Sequence, residues 1–399
     1  MGNVKGLTGN EAAAEAMRQI NPDVVAAYPI TPQTEAMHKF SEFVADGLVD
    51  SELVLVESEH SAMSATVGAS AAGSRAMTAT SSQGLALMHE ILYIAASTRL
   101  PIVMPMVNRA LSGPINIHND HSDSMGSRDA GWIQLFAENS QEVYDNVLMG
   151  IRIAEHKDVL TPVMVCYDGF IISHTMERVE ILDDEAAKKF VGTYDPVIKL
   201  LDHDNPITIG PLDLQDYYFE HRRAQYEGMK NAPRVIKEVS EEFGKLSGRN
   251  YDFIEVTNPD ADIFFVVMGS AAGTLKHVIF ENNISNVGVL KIRSYRPFPR
   301  KEIADALNNA KAVAVLDKSL SFGLPGGPLY NDVEAALYHH GVQTPMVDYI
   351  VGLGGRDLSP DQVEKMFEEM ESVKSAGKAD QEVRWVGLRE KGKEKELIV

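Results

Sequence analysis

A chain of 399 residues with a formal net charge of −20 and one cysteine excludes several classes at once. The charge disfavours nucleic acid and anionic lipid, which need a basic face, and Cys166 alone can neither close an internal disulfide nor ligate an iron–sulfur cluster by itself. With 44% apolar residues, no apolar run near the ~20 of a membrane span, and no signal-peptide pattern in MGNVKGLTGNEAAAEAM, the expectation is a cytoplasmic α/β protein of two domains.

In chain order, Asn10 to Ile20 predicts a helix with Asn10 as N-cap. Val24 to Tyr28 predicts a strand running into Pro29-Ile30-Thr31-Pro32, where two prolines forbid helix and impose a rigid, extended turn. Thr31, at the strand's carboxyl end, is a ligand contact or a cap for the helix that follows through Val44. Leu53 to Val56 reads as a parallel strand buried on both faces, ending in Glu57-Ser58-Glu59-His60. A helix of almost nothing but small residues, Ser61 to Gly73, follows. Small side chains let a second backbone or a flat ligand approach, and ligands of α/β sheets bind beyond the strands' carboxyl ends. Glu59 stands there, at a helix start whose dipole favours its charge; simple capping by Glu57 and Glu59 is the other reading. Arg75 to Thr80 then leads into Ser81-Ser82-Gln83-Gly84 and a helix, Leu85 to Ala96.

Pro101 to Val107 is the next strand, closed by Asn108-Arg109. The loop Ala110 to Trp132 is long and polar, which usually means function. Its Asp120-His121-Ser122-Asp123 cluster is a weak metal candidate for want of a second His-rich segment. Arg109 suits a substrate carboxylate, a surface ion pair being the alternative. Ser140 to His156 reads as helix and Thr161 to Tyr167 as strand, ending in Asp168-Gly169. From about Thr175 the rhythm is lost in an excursion that includes the aromatic, charged run Asp216 to Arg223, and Pro233 to Leu246 is helical. From Asp262 strands and helices alternate again through Arg296-Pro297-Phe298-Pro299 and the glycine-rich Phe322 to Gly327. The expected organisation is residues 1–232, a helical linker 233–260, a smaller α/β domain 261–375 and a charged tail 376–399.

No phosphate loop, HExxH or GxSxG is present, and Tyr-Pro stands after the first strand in place of GxGxxG. What remains is a set of sheet-end groups: Thr31, Glu59, Ser81 to Gln83 and Arg109. A lone carboxylate in a bed of small residues suits the ring nitrogen of an aminopyrimidine, as in thiamine diphosphate, whose imino form it promotes. Burial raises the pKa of such a glutamate toward the working range.

YPITP (Tyr28 to Pro32), SEHSAMSATVGASAAG (Ser58 to Gly73), TSSQG (Thr80 to Gly84), NRALSG (Asn108 to Gly113), DHSD (Asp120 to Asp123), DGF (Asp168 to Phe170), GPLDLQDYYFEHRR (Gly210 to Arg223) and RPFP (Arg296 to Pro299) closely resemble the α subunit of pyruvate:ferredoxin oxidoreductases. The resemblance runs in order over essentially the whole chain. It implies a pyrimidine-binding-type, doubly wound parallel-sheet domain followed by a smaller transketolase C-terminal-like α/β domain. By similarity Glu59 pairs with the pyrimidine, Tyr28, Pro29, Ser82 and Gln83 surround the cofactor, and Thr31 and Arg109 hold the 2-oxoacid.

The implied reaction is pyruvate + CoA + oxidised ferredoxin ⇌ acetyl-CoA + CO₂ + reduced ferredoxin, an oxidoreductase chemistry of anaerobic metabolism. The GDG motif that binds thiamine diphosphate through Mg²⁺ is missing; Tyr167-Asp168-Gly169 has the wrong first residue and no suitable asparagine after it. The chain thus resembles half a thiamine site. The resemblance supplies the rest: a β subunit with the diphosphate half and Mg²⁺, ferredoxin-like δ and γ subunits, and [4Fe-4S] clusters on those partners. Threonine at 31, where the oxalate-acting relative carries arginine, favours pyruvate. No residue here rejects 2-oxoglutarate or another 2-oxoacid, and a transketolase or E1-beta-type thiamine subunit without ferredoxin coupling is the alternative from another class.

Overall fold

The computed structural model describes residues 3–111, 113–197 and 199–389; from residue 390 on, the expected charged tail lies outside them. The chain forms two compact units, residues 1–254 with 293–299, and residues 255–292 with 300–399. This differs from the expected division in two places. Residues 293–299 return to the first unit, where Ser294–Arg296 pairs antiparallel with Ile133–Phe136 and Tyr295 packs edge-on to Phe136. Residues 233–247 continue one 30-residue helix, Tyr218–Ser247, and bury Val235, Ile236, Val239 and Phe243 in the first unit's core.

That unit is built on a seven-stranded sheet in the order Ser294–Arg296, Ile133–Phe136, Val163–Asp168, Val103–Asn108, Ala76–Met77, Val24–Ala27, Glu52–Leu55. All of its pairings except the first are parallel. Val103–Asn108 and Val163–Asp168 are buried along their whole length, as strands covered on both faces must be. Their register sets Asn108 beside Asp168 at the carboxyl end. Glu52–Leu55, expected to be buried on both faces, is instead the sheet edge: Leu55 is 74% exposed. A second sheet, the antiparallel ribbon Asn3–Leu7 with Glu177–Ile181, has no counterpart in the sequence reading.

The helix Gly9–Ile20 is capped by Thr8 rather than Asn10. Thr8 and Glu11 exchange the reciprocal bonds of a capping box. This frees Asn10, one residue inside the helix, to reach elsewhere. Helices Gly9–Ile20, Thr34–Ala45 and Ser140–Glu155 pack Ala16, Met17, Phe40, Val147 and Ile151 into one apolar core with the sheet.

The second unit carries a six-stranded sheet ordered Val383–Trp385, Met346–Ile350, Ala312–Asp317, Ile263–Val267, Val287–Ile292, Ile254–Thr257. Its first five strands run parallel. No helix among the described residues is long and apolar enough to cross a membrane.

Candidate active site

Three loops meet at the carboxyl ends of the first unit's strands, and each is pinned from below. The Tyr28 to Pro32 turn rests on the Asn10 amide, which donates to the Pro32 carbonyl at 2.7 Å. Tyr167 holds that amide's oxygen with a 3.0 Å bond from its hydroxyl. Gly169 lies beneath the same turn: a Cβ there would stand 2.8 Å from Pro32 Cγ and 2.5 Å from the Asn108 carbonyl oxygen, so no side chain fits. Tyr28, Pro29 and the side chain of Thr31 are left exposed above.

Arg109 follows the strand Val103–Asn108 and is only 5% exposed. Its Nη1 donates to the Thr31 carbonyl at 2.8 Å and its Nε to the Asn116 carbonyl at 3.0 Å. Burial lowers the pKa of this guanidinium, opposed by the charge of Asp123. Thr31 and Arg109 are thus adjacent, and Arg109 forms no ion pair of the kind considered for it among the described residues. Nη2 has no partner among the described residues.

Glu57 and Glu59, equivalent by sequence, separate in the structure. Glu57 is on the outside and takes a 2.6 Å bond from the Ser61 hydroxyl, while the N-cap of the helix Glu59–Ala72 is Ser58. Glu59 opens that helix with its side chain turned inward, 7% exposed and with no hydrogen-bond or ion-pair partner for its carboxylate among the described residues. An unpaired buried carboxylate is costly unless a donor arrives. It packs on Gly84: a Cβ there would stand 2.8 Å from Glu59 Oε1 and 2.3 Å from the Thr80 hydroxyl. The Thr80 and Ser81 hydroxyls are themselves buried, with no hydrogen-bond partner among the described residues. A buried acceptor without a donor, beside bare glycine and free hydroxyls, fits an aminopyrimidine ring.

Ser82 is held differently. Its backbone has φ of 47°, its amide donates to Asp123 Oδ2 at 3.0 Å, and its hydroxyl lies 2.6 Å from the Ala110 carbonyl. That hydroxyl is engaged within the protein, and Gln83 beside it is half-buried. Asp123, not singled out from the sequence except within the metal candidate, also accepts from the Arg109 amide at 2.8 Å. In the structure the groups of this cluster bond to the protein itself. Asp123 faces N–H donors, Asp120 accepts from the Ser122 amide, and His121 Nε2 lies 2.7 Å from Asp168. Asn10, expected only as a cap, and Gly84 and Gly169 complete the site; for the two glycines the reason is that a Cβ has no room.

The thiamine-diphosphate-binding domain of pyruvate flavodoxin/ferredoxin oxidoreductases matches residues 15–241, and core domain II of pyruvate:ferredoxin oxidoreductase matches residues 261–363. The chain belongs to the pyruvate:ferredoxin oxidoreductase family. Pyruvate synthase subunit PorA of Thermotoga maritima is 56% identical over 96% of this chain and 98% of that one. Its namesake in Methanocaldococcus jannaschii is 49% identical over 98% and 99%. The ketoisovalerate oxidoreductase subunit VorA of Pyrococcus abyssi is 46% identical over 96% and 98%. These relatives are named as subunits, which places the family among multi-subunit enzymes. A 2-oxoglutarate:ferredoxin oxidoreductase from Magnetococcus marinus, solved with 2-oxoglutarate, coenzyme A and succinyl-CoA bound, shares the fold at a TM-score of 0.74 and 21% identity. The match covers 92% of this chain and 66% of that one.

Proposed function

We propose that the chain is the α subunit of a thiamine-diphosphate-dependent pyruvate:ferredoxin oxidoreductase, forming acetyl-CoA, CO₂ and reduced ferredoxin from pyruvate, CoA and oxidised ferredoxin. The observation that carries this reading is the inward, partnerless carboxylate of Glu59 on Gly84, in a thiamine-diphosphate-binding domain. The cofactor, when bound, supplies the nucleophilic carbon and the electron sink for decarboxylation. Glu59 holds a proton at the pyrimidine ring nitrogen and so keeps the ring oriented. Arg109, already committed through Nε and Nη1 to the Asn116 and Thr31 carbonyls, presents Nη2 to the oxoacid carboxylate. The Thr31 hydroxyl adds a neutral donor. Such oriented contacts are worth a few kcal/mol each in the transition state.

Pyruvate as substrate is supported by Thr31 and by the pyruvate synthase subunits of Thermotoga maritima and Methanocaldococcus jannaschii, at 56% and 49% identity. The diphosphate, Mg²⁺ and the [4Fe-4S] clusters belong on a β subunit and ferredoxin-like δ and γ subunits. Cys166, the one cysteine, is buried in the sheet and out of reach of a cluster. The assembly acts in the cytoplasm, with ferredoxin as acceptor. The test is Glu59→Gln in the purified complex, assayed with pyruvate, 2-oxoglutarate and oxalate. Pyruvate turnover is expected to fall at least ~100-fold with the complex intact; wild-type kcat/KM in that variant would sink the reading.

A further inference from the structure

We propose that Asp123 is a positioning residue that sets the register between two halves of the site, the seat of Glu59 and the oxoacid clamp at Arg109; the inference rests on the function proposed above. The Asp123 carboxylate is 2% exposed and receives four donors. Oδ2 accepts from the Ser82 amide at 3.0 Å and the Arg109 amide at 2.8 Å. Oδ1 accepts from Asn108 Nδ2 at 2.9 Å and the Ser124 amide at 2.7 Å. One oxygen therefore ties together the two backbone segments that carry the chemistry.

From Ser82 the chain runs two residues to Gly84, the surface on which Glu59 sits. From Arg109 the guanidinium runs to the Thr31 carbonyl. The positive φ of Ser82 is a conformation that a non-glycine residue keeps only where its surroundings over-determine it. The bond to Asp123 and the contact of the Ser82 hydroxyl with the Ala110 carbonyl are those surroundings. Loss of either lets the TSSQG turn relax and move Gly84 relative to Glu59.

The chemistry at position 123 is specific. Four donors on two oxygens require an acceptor-only group, which among side chains of this size is the aspartate carboxylate. Asparagine, of the same shape, sets an NH₂ against two N–H donors whichever way it is turned. Asp123 acts through the Ser82 and Arg109 amides, so its removal touches both ligands of the site together.

The experiment uses the assembled complex. For Asp123→Asn, the thiamine diphosphate Kd, by calorimetry on cofactor-stripped complex, and the oxoacid KM are both expected to rise about tenfold, the size of one lost charge-assisted hydrogen bond. Glu59→Gln and Arg109→Lys, by contrast, each move chiefly one of the two constants. A loop staple with no positioning role would lower the melting temperature and the amount of active complex, and leave Kd and KM of the surviving sites unchanged; that result overturns the proposal. Should Asp123→Asn not assemble, Asn108→Ala withdraws one donor from the same carboxylate. A rise of roughly threefold in both constants then supports the proposal, and no change in either overturns it. An Arg109→Lys enzyme with unaltered oxoacid KM would refute the oxoacid role of Arg109 instead, and Asp123 would be judged on the cofactor constant alone.

Discussion

Asp123, in the short helix Ser122–Gly126 of the first unit, and Asp348, on the strand Met346–Ile350 of the second, are both shut away from solvent, yet they live in different electrostatic settings. Asp123 is ringed by four N–H donors. Asp348 receives one, the Gly327 amide at 2.7 Å, and its Oδ1 is unpaired. Burial pushes Asp123 up to about 7, held down by its donors. It pushes Asp348 up to about 9, the charge of Asp317 adding to the effect. Burial raises both carboxyls; the four donors around Asp123 pull it back, whereas Asp348, with one donor and the charge of Asp317 beside it, is held higher.

Both units also seat carboxylates on glycine. Gly84 faces Glu59, Gly326 faces Asp348 Oδ2 at 2.6 Å from a would-be Cβ, and Gly327 faces Asp317 Cγ at 2.2 Å. The largest way to break the parallel is Gly84→Ala. The added methyl overlaps Thr80 Oγ1 and Glu59 Oε1, and overpacking of this kind costs about 1–3 kcal/mol. Displacing Glu59 by a fraction of an ångström is expected to cut kcat roughly 100-fold. Steady-state assay beside a thermal melt checks this, and an active, equally stable variant would mean that Glu59 has room to yield.

Asp348→Asn tests the other side with a smaller effect. Asp348 keeps its proton in the folded chain and releases it on unfolding, so stability declines as pH rises from about 4, its unfolded value, to about 9 and is level beyond. Asparagine mimics the protonated acid. The stability gain is expected to be larger near pH 9 than near pH 5, with kcat/KM within twofold of wild type. Melting curves at the two pH values decide it; equal behaviour at both would show that Asp348 is ionised.

The smallest effect separates activity from stability. The charges around Asp123 are Asp120 and Arg109, with the His121–Asp168 pair at 2.7 Å on the adjoining loop and strand. As pH falls through about 7, a proton on Asp123 turns one acceptor into a donor facing N–H groups, and kcat/KM for the oxoacid should fall. The raised pKa means that the folded chain binds this proton more tightly than the unfolded one, so acid strengthens the fold while weakening the site. A flat profile from pH 6 to 7.5 would remove Asp123 from the titration.

What the sequence disclosed follows the same physics. Long apolar runs such as Val103 to Val107 announce buried strands because both faces are covered. The Asn3–Leu7 ribbon stayed hidden, its largely exposed residues giving no apolar pattern to read. The helix through Pro233 was cut short in the reading because proline weighs against helix locally, whereas Val235, Ile236 and Phe243 hold it together from the core. Sheet-end placement singled out Glu59 and Arg109. It did not single out Asp123, because backbone amides supply three of its four donors and leave no residue-type signature.

Cys166 sits mid-sheet in Val163–Asp168, with burial and the Asp123 and Asp168 charges raising its thiol well above the ordinary range. As the chain's one cysteine, it is silent toward alkylating reagents while the sheet stays closed and becomes reactive once the sheet opens. Pulse labelling thus offers a native clock for opening of the sheet in the thiamine-binding unit, without an engineered probe.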